Sequence, residues 1–143
     1  MTSFTSAEFC DTNVLVYAHS AAADARWTRA QQLVNRLGDE RVGALSIQVL
    51  QEFYVTITRR GTPPLSPEAA RAIVEDLTAW RVVEPRARDV LDAIDGSVRW
   101  RVSFWDAMLL VAANRAGASV FWSEDLNDGQ LYGSVTVRNP FRA

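Results

Sequence analysis

The chain has 143 residues, 48% hydrophobic and 22% charged, with a formal net charge of −2. That is the size and balance of a single globular domain over residues 1–143, not of a broadly basic nucleic-acid binder. A lone cysteine, Cys10, excludes a disulfide framework and a multi-cysteine zinc site, and fifteen arginines with no lysine exclude P-loop and Schiff-base chemistry.

No apolar run reaches the ~18 residues of a membrane span. The start, MTSFTSAEF, lacks the basic and apolar segments of a signal peptide. A cytoplasmic protein with no membrane partner is therefore expected.

Residues 1 to 6 read as a flexible lead-in. Ala7 to Cys10 fits a short strand, with Glu8 marking its exposed start. Asp11-Thr12-Asn13 follows, then Val14 to Tyr17 as a short helix that Asn13 is placed to cap. Asp11 would stand at the strand end, although an ordinary strand-to-helix turn uses the same residue types. His19, the only histidine, has no second histidine to work with and reads as a surface residue.

Asp24 to Leu37 carries Trp27, Ala30, Leu33, Val34 and Leu37 at helical spacing, with Gly38 as its stop. Arg41 to Leu45 fits a strand. Ser46 then caps a helix from Ile47 to about Arg60, whose inner face is Ile47, Leu50, Phe53, Tyr54 and Ile57 with Val49 at the margin. Glu52 lies ~60° beyond Val49, on a flank shared with Gln48, Thr56 and Arg59. It can look into a cleft or stand in solvent.

Gly61 to Leu65 is a loop. Ser66-Pro67-Glu68 opens a helix to about Ala79, and Trp80 to Glu84 fits a strand stopped by Pro85. Arg86 to about Trp100 is another helix, with Val90, Leu91, Ile94 and Val98 expected inward. Trp27 and Trp80 are expected in the core.

Ser103 to Gly117 combines a cap, an apolar stretch and a helix-ending glycine. Ala107 to Ala113 is apolar on every side, so this helix should be buried. Val120-Phe121-Trp122 fits a strand with both faces covered. Leu126 to Gln130 is a polar turn, and Val135-Thr136-Val137 alternates like a final edge strand. Strands alternating with helices predict a mainly parallel sheet between two helical layers.

Asp11, Glu52, Asp106 and Asp125 recur at similar places in separate strand–helix units. Strand ends of a parallel sheet gather on one edge. Carboxylates collected there repel one another unless cations are present, and oxygen-only ligands suit Mg²⁺ or Mn²⁺. Such an ion activates water, and a phosphodiester would complete its shell. Asp106 also fits a capping box with Ser103, and both readings stand.

The segments Phe9-Cys10-Asp11-Thr12-Asn13-Val14-Leu15, Gln48-Val49-Leu50-Gln51-Glu52-Phe53-Tyr54, Ser103-Phe104-Trp105-Asp106-Ala107 and Ser123-Glu124-Asp125-Leu126 with Gly129, closing on Val137-Arg138-Asn139-Pro140-Phe141, resemble a PIN domain. More narrowly, they are similar to the toxin ribonuclease of VapBC-type (type II) toxin–antitoxin systems. The resemblance implies a three-layer α/β/α sandwich and a Mg²⁺- or Mn²⁺-dependent endoribonuclease acting on RNA. Its acidic cluster would be Asp11, Glu52, Asp106 and Asp125, with Asp11 and Asp106 as the direct ligands. Thr12, Asn13 and Ser123 would support them, and Asp128 would replace or assist Asp125.

Arg59, Arg99, Arg101 and Trp105 are the candidate RNA contacts. The resemblance also implies a homodimer and an antitoxin whose C-terminal segment wraps the toxin and often inserts an arginine into the site. Cys10 stands where an aliphatic residue is usual.

Two alternatives weigh less. A haloacid-dehalogenase-like phosphatase built on Asp11 needs a second aspartate two residues on, where this chain has Asn13, and usually a lysine. A non-catalytic interaction domain of this type usually lacks some of the acids, and here all four are present.

Overall fold

The computed structural model describes residues 6–20 and 24–142; all but Ser6 of the expected lead-in lies outside them. The chain runs β1 (Ala7–Cys10), α1 (Thr12–Ala18), α2 (Ala25–Asp39), β2 (Gly43–Ser46), α3 (Ile47–Arg59) and α4 (Pro67–Leu77). It continues β3 (Arg81–Val83), α5 (Ala87–Trp100), α6 (Phe104–Arg115), β4 (Ala118–Trp122), β5 (Leu131–Tyr132) and β6 (Val135–Arg138). No helix among the described residues is long and apolar enough to cross a membrane.

The strands form one sheet in the order β3-β2-β1-β4-β6-β5, parallel except for β5 against β6. Right-handed crossovers put α1 to α4, which lead from β1 to β3, on one face and α5 and α6, which lead back to β4, on the other. The expected three-layer α/β/α arrangement with a mainly parallel sheet is the one observed. Phe9 and Phe121 stack at 5.2 Å between β1 and β4 at its centre.

Local chemistry sets most element starts. The hydroxyls of Ser46, Ser66 and Ser103 accept hydrogen bonds from the backbone N–H of Val49, Ala69 and Asp106. Buried Ala107, Leu109, Leu110, Val111, Ala112 and Ala113 run around α6, because it lies between the sheet and α5.

Several expectations need correction. Asp11, not Asn13, caps α1, accepting from the Thr12 N–H at 2.7 Å. Gly38 lies inside α2. The chain turns at Arg41 (φ 57°), where the Arg41 and Val42 N–H groups close on the Gly38 and Leu37 carbonyls. Glu8 is no exposed start: Arg36 holds both its oxygens and the Trp122 indole donates to it at 2.9 Å. His19 is half-buried, its ring against Phe53 and its Nδ1 at 2.9 Å from the Leu15 carbonyl. Trp80 packs on the core, while Trp27 is only half-buried. β6 is not the edge, because the two-residue β5 pairs outside it.

The largest correction concerns α5. Val90, Leu91, Ile94 and Val98 face outward, with Leu91 55% and Val98 77% exposed. The helix packs on α6 through its small side instead, where Ala93 meets Ala107 and Val111. Gly96 admits the Trp100 ring, which a side chain at that position would strike.

Candidate active site

Sheet register builds the site. Cys10 of β1 pairs with Trp122 of β4, so the next residues, Asp11 and Ser123, meet just beyond the carboxyl edge. The Ser123 hydroxyl donates to Asp11 Oδ2 at 2.8 Å, while Asp11 Oδ1 takes the Thr12 N–H. Ser123 Oγ also accepts the Asp125 N–H at 3.0 Å, which fixes the loop after β4. Asp11 is thus held at both oxygens and is only 8% exposed.

Thr12 and Asn13, the first two residues of α1, hold two of the other acids. Thr12 Oγ1 donates to Glu52 Oε1 on α3 at 2.8 Å, and Asn13 Nδ2 donates to Asp125 Oδ2 at 3.0 Å. Glu52 therefore looks into a cleft rather than into solvent. Asp106 enters from the first turn of α6. Its N–H is capped by Ser103 Oγ at 3.0 Å, and its carboxylate lines the cleft with the others, so the capping geometry and the cleft position coexist.

The resulting cleft holds about 240 Å³. Asp11, Glu52, Asp106 and Asp125 line it together with Gln48, Thr56 and Trp105. Burial pushes the Asp11 carboxyl up to about 7, against the lowering hydrogen bonds from Ser123 and Thr12, and the nearby charges of Asp125 and Asp106 raise it further. Burial also raises Asp106, opposed by Ser103 and reinforced by Asp125 and Glu52. Such a cleft favours protons or cations over further anions.

The side-chain groups in this pocket able to ligate a metal are all oxygens, with no histidine or cysteine among them, which fits a hard divalent cation rather than zinc. Among the described residues, no three acids, histidines or cysteines already close around one point. An ion held here would take one or two of these carboxylates directly and keep several of its waters.

Asp128 lies apart, accepting the Asn139 N–H at 2.8 Å with Arg142 at 3.8 Å, so it pins the C-terminal segment. Arg59, Arg99 and Arg101 do not line the cleft, whereas Trp105 does and is 63% exposed. Gln48 acquires a part that its solvent-flank position only hinted at. Its amide donates to Glu52 Oε2 at 3.3 Å, an i,i+4 pair readable from spacing alone, and to the Trp105 carbonyl at 3.4 Å, which spacing cannot show. Arg26 lies over the Tyr17 ring, donates to its hydroxyl and stands 3.9 Å from Glu124, beside Asp125.

A search of curated proteins found no match. Solved structures do resemble this one. A Mycobacterium tuberculosis VapC20 toxin, described as cleaving the sarcin-ricin loop, matches at a TM-score of 0.61 and 24% identity over 80% of this chain and 87% of that one. A toxin–antitoxin complex from Klebsiella pneumoniae matches at 0.68 and 14% over 94% and 98%. A DNA-bound VapBC from Salmonella typhimurium matches at 0.66 and 15% over 95% and 99%. At these identities the likeness is one of fold. The PIN domain family model matches residues 9–128, from the first strand through the loop that carries Asp125. The chain belongs to the PIN domain family.

Proposed function

We propose that this chain is a single-domain, Mg²⁺- or Mn²⁺-dependent endoribonuclease, the cytoplasmic toxin of a type II toxin–antitoxin pair. The observation that carries this reading is the buried Asp11 carboxyl, held at both oxygens and raised to about 7 in a cleft shared with Glu52, Asp106 and Asp125. The PIN family match and the resemblance to toxin structures support it.

Asp11 and Asp106 would hold the ion directly, with Glu52 and Asp125 completing its surroundings. A divalent ion bound there supplies positive charge for a phosphodiester and lowers the pKa of a water. The chain's own contribution is positioning. Ser123 and the Thr12 N–H orient Asp11, Thr12 Oγ1 orients Glu52, and Asn13 orients Asp125. The phosphatase alternative loses its second acid, because position 13 is an amide engaged with Asp125.

The proposed partners are RNA, a cognate antitoxin and a second copy of this chain. Support for the second copy comes from α5. Ala87, Leu91, Ile94 and Val98 step by four, three and four residues, the spacing of a coiled-coil seam, and all face outward. In an antiparallel self-pairing Leu91 meets the second copy's Ile94, and Arg88 comes opposite Asp95 on both sides, so the charges match.

The test is cleavage of a mixed cellular RNA pool with Mg²⁺, with Mn²⁺ and with EDTA, beside Asp11→Asn. Cleavage that needs both the metal and Asp11 is expected. Cleavage that persists in EDTA or in the variant would overturn the assignment of the acids.

A further inference from the structure

Beside the acidic cleft lies a second cavity of about 140 Å³ that contains none of the four acids. It sits where the start of α3 meets the ends of β3 and the starts of α5 and α6. Pro85 and Met108 supply apolar wall, while Gln48 and Gln51 supply amides. Trp105 lines it too, and Trp105 and Gln48 line the acidic cleft as well. The two cavities therefore share a wall.

The chemistry of the lining narrows the occupant. Its one ionisable group, Asp89, is neutralised by Arg86 at 3.1 Å and by Arg115. No free charge faces the space, so neither a phosphate nor a metal ion is suited to it. A flat, neutral, partly apolar group with hydrogen-bonding edges is suited. Trp105 offers an aromatic surface that is 63% exposed, on a ring braced edge-to-face by Phe104 at 5.1 Å. Gln48 bridges the Trp105 backbone to Glu52, which couples this wall to the acids.

We propose that this cavity is a base-binding subsite. It takes one unpaired nucleobase of the RNA, adjacent to the phosphate that sits at the acids, with Trp105 as stacking surface and the Gln51 amide and the Gln48 amide oxygen reading the base edge. The proposal rests on the nuclease reading and adds its source of sequence preference.

Two measurements on the full chain test it. The first titrates the four uncharged ribonucleosides, which the acids do not repel, and follows the Trp105 indole N–H resonance, identified by its loss in Trp105→Phe. At least one nucleoside should shift it in the millimolar range, and Gln51→Ala should change which nucleoside binds best. If no nucleoside moves the resonance, or toluene moves it equally, the subsite is wrong. The second compares kcat/KM for RNA cleavage. Trp105→Ala should lose about 5- to 150-fold, the range for one stacked base. Trp105→Phe should keep most activity, and an abasic residue at the stacked position should abolish the difference between wild type and Trp105→Ala. Cleavage indifferent to Trp105→Ala overturns the subsite and leaves the nuclease reading intact. Nucleoside binding at Trp105 without any cleavage leaves the subsite standing and refutes the nuclease reading.

Discussion

Replacing Asp11 with asparagine should stabilise the metal-free protein at neutral and alkaline pH while removing its chemistry. An acid whose native pKa lies above its unfolded value is accepted by the fold when neutral and resisted when ionised. Moving Asp11 from 3.8 to about 7 corresponds to about 4 kcal/mol held against the charged form. Stability fully present below about pH 4 is therefore lost as the pH rises through about 7. The Ser123 and Thr12 hydrogen bonds to the charged form are already within that difference. Relative to the protonated acid, asparagine keeps an oxygen for the Thr12 N–H but turns an amide NH₂ to the buried Ser123 hydroxyl, which loses its acceptor at about 1–3 kcal/mol. The net gain at pH 8 is about 1–3 kcal/mol, or about 3–9 °C in melting temperature for a chain of this length. The assay is thermal unfolding of both proteins in EDTA from pH 4.5 to 8.5. The gain should vanish toward the acid end and shrink or reverse in Mg²⁺, which should stabilise only the wild type. A variant that melts below the wild type at pH 8 in EDTA would refute the electrostatic reasoning.

Three further outcomes are expected. Ser123→Ala leaves a buried carboxylate oxygen without its donor, so urea unfolding should show a loss of about 1–3 kcal/mol, greatest above about pH 7 where Asp11 is ionised. Gly43→Ala should cost about 1–3 kcal/mol in the same assay, because the Trp80 ring lies directly on Gly43. Sedimentation equilibrium should show Arg88→Asp as a weaker dimer than the wild type and Arg88→Asp with Asp95→Arg as a restored one; equal association of all three would exclude the antiparallel pairing of α5.

What the sequence by itself determined is whatever depends on near neighbours. Ser46, Ser66 and Ser103 mark helix starts because a cap spans three residues. α6 is legible as buried because a helix apolar all round has no solvent side. The positions of Asp11, Asp106 and Asp125 at or just past element ends, and of Glu52 on the flank of α3, could also be read, as could the parallel sheet implied by alternating strands and helices. The two-residue β5 could not, since so short a strand carries no period of its own.

Tertiary structure decided direction and convergence. Helical periodicity states that Leu91, Ile94 and Val98 share a face but not which way that face points. The packing of Ala93 against Ala107 and Val111 of α6 turns it outward. The sequence places Asp125 in the cluster but leaves Asp128 open as its substitute or assistant. Only the pairing of Cys10 with Trp122, 112 residues away, delivers Ser123 and Asp125 to Asp11 and Asn13, while Asp128 is left to hold the C-terminal segment. Hydrogen bonds between partners so distant in the chain exist only once the sheet register brings them together, which is why the site had to be found in the fold.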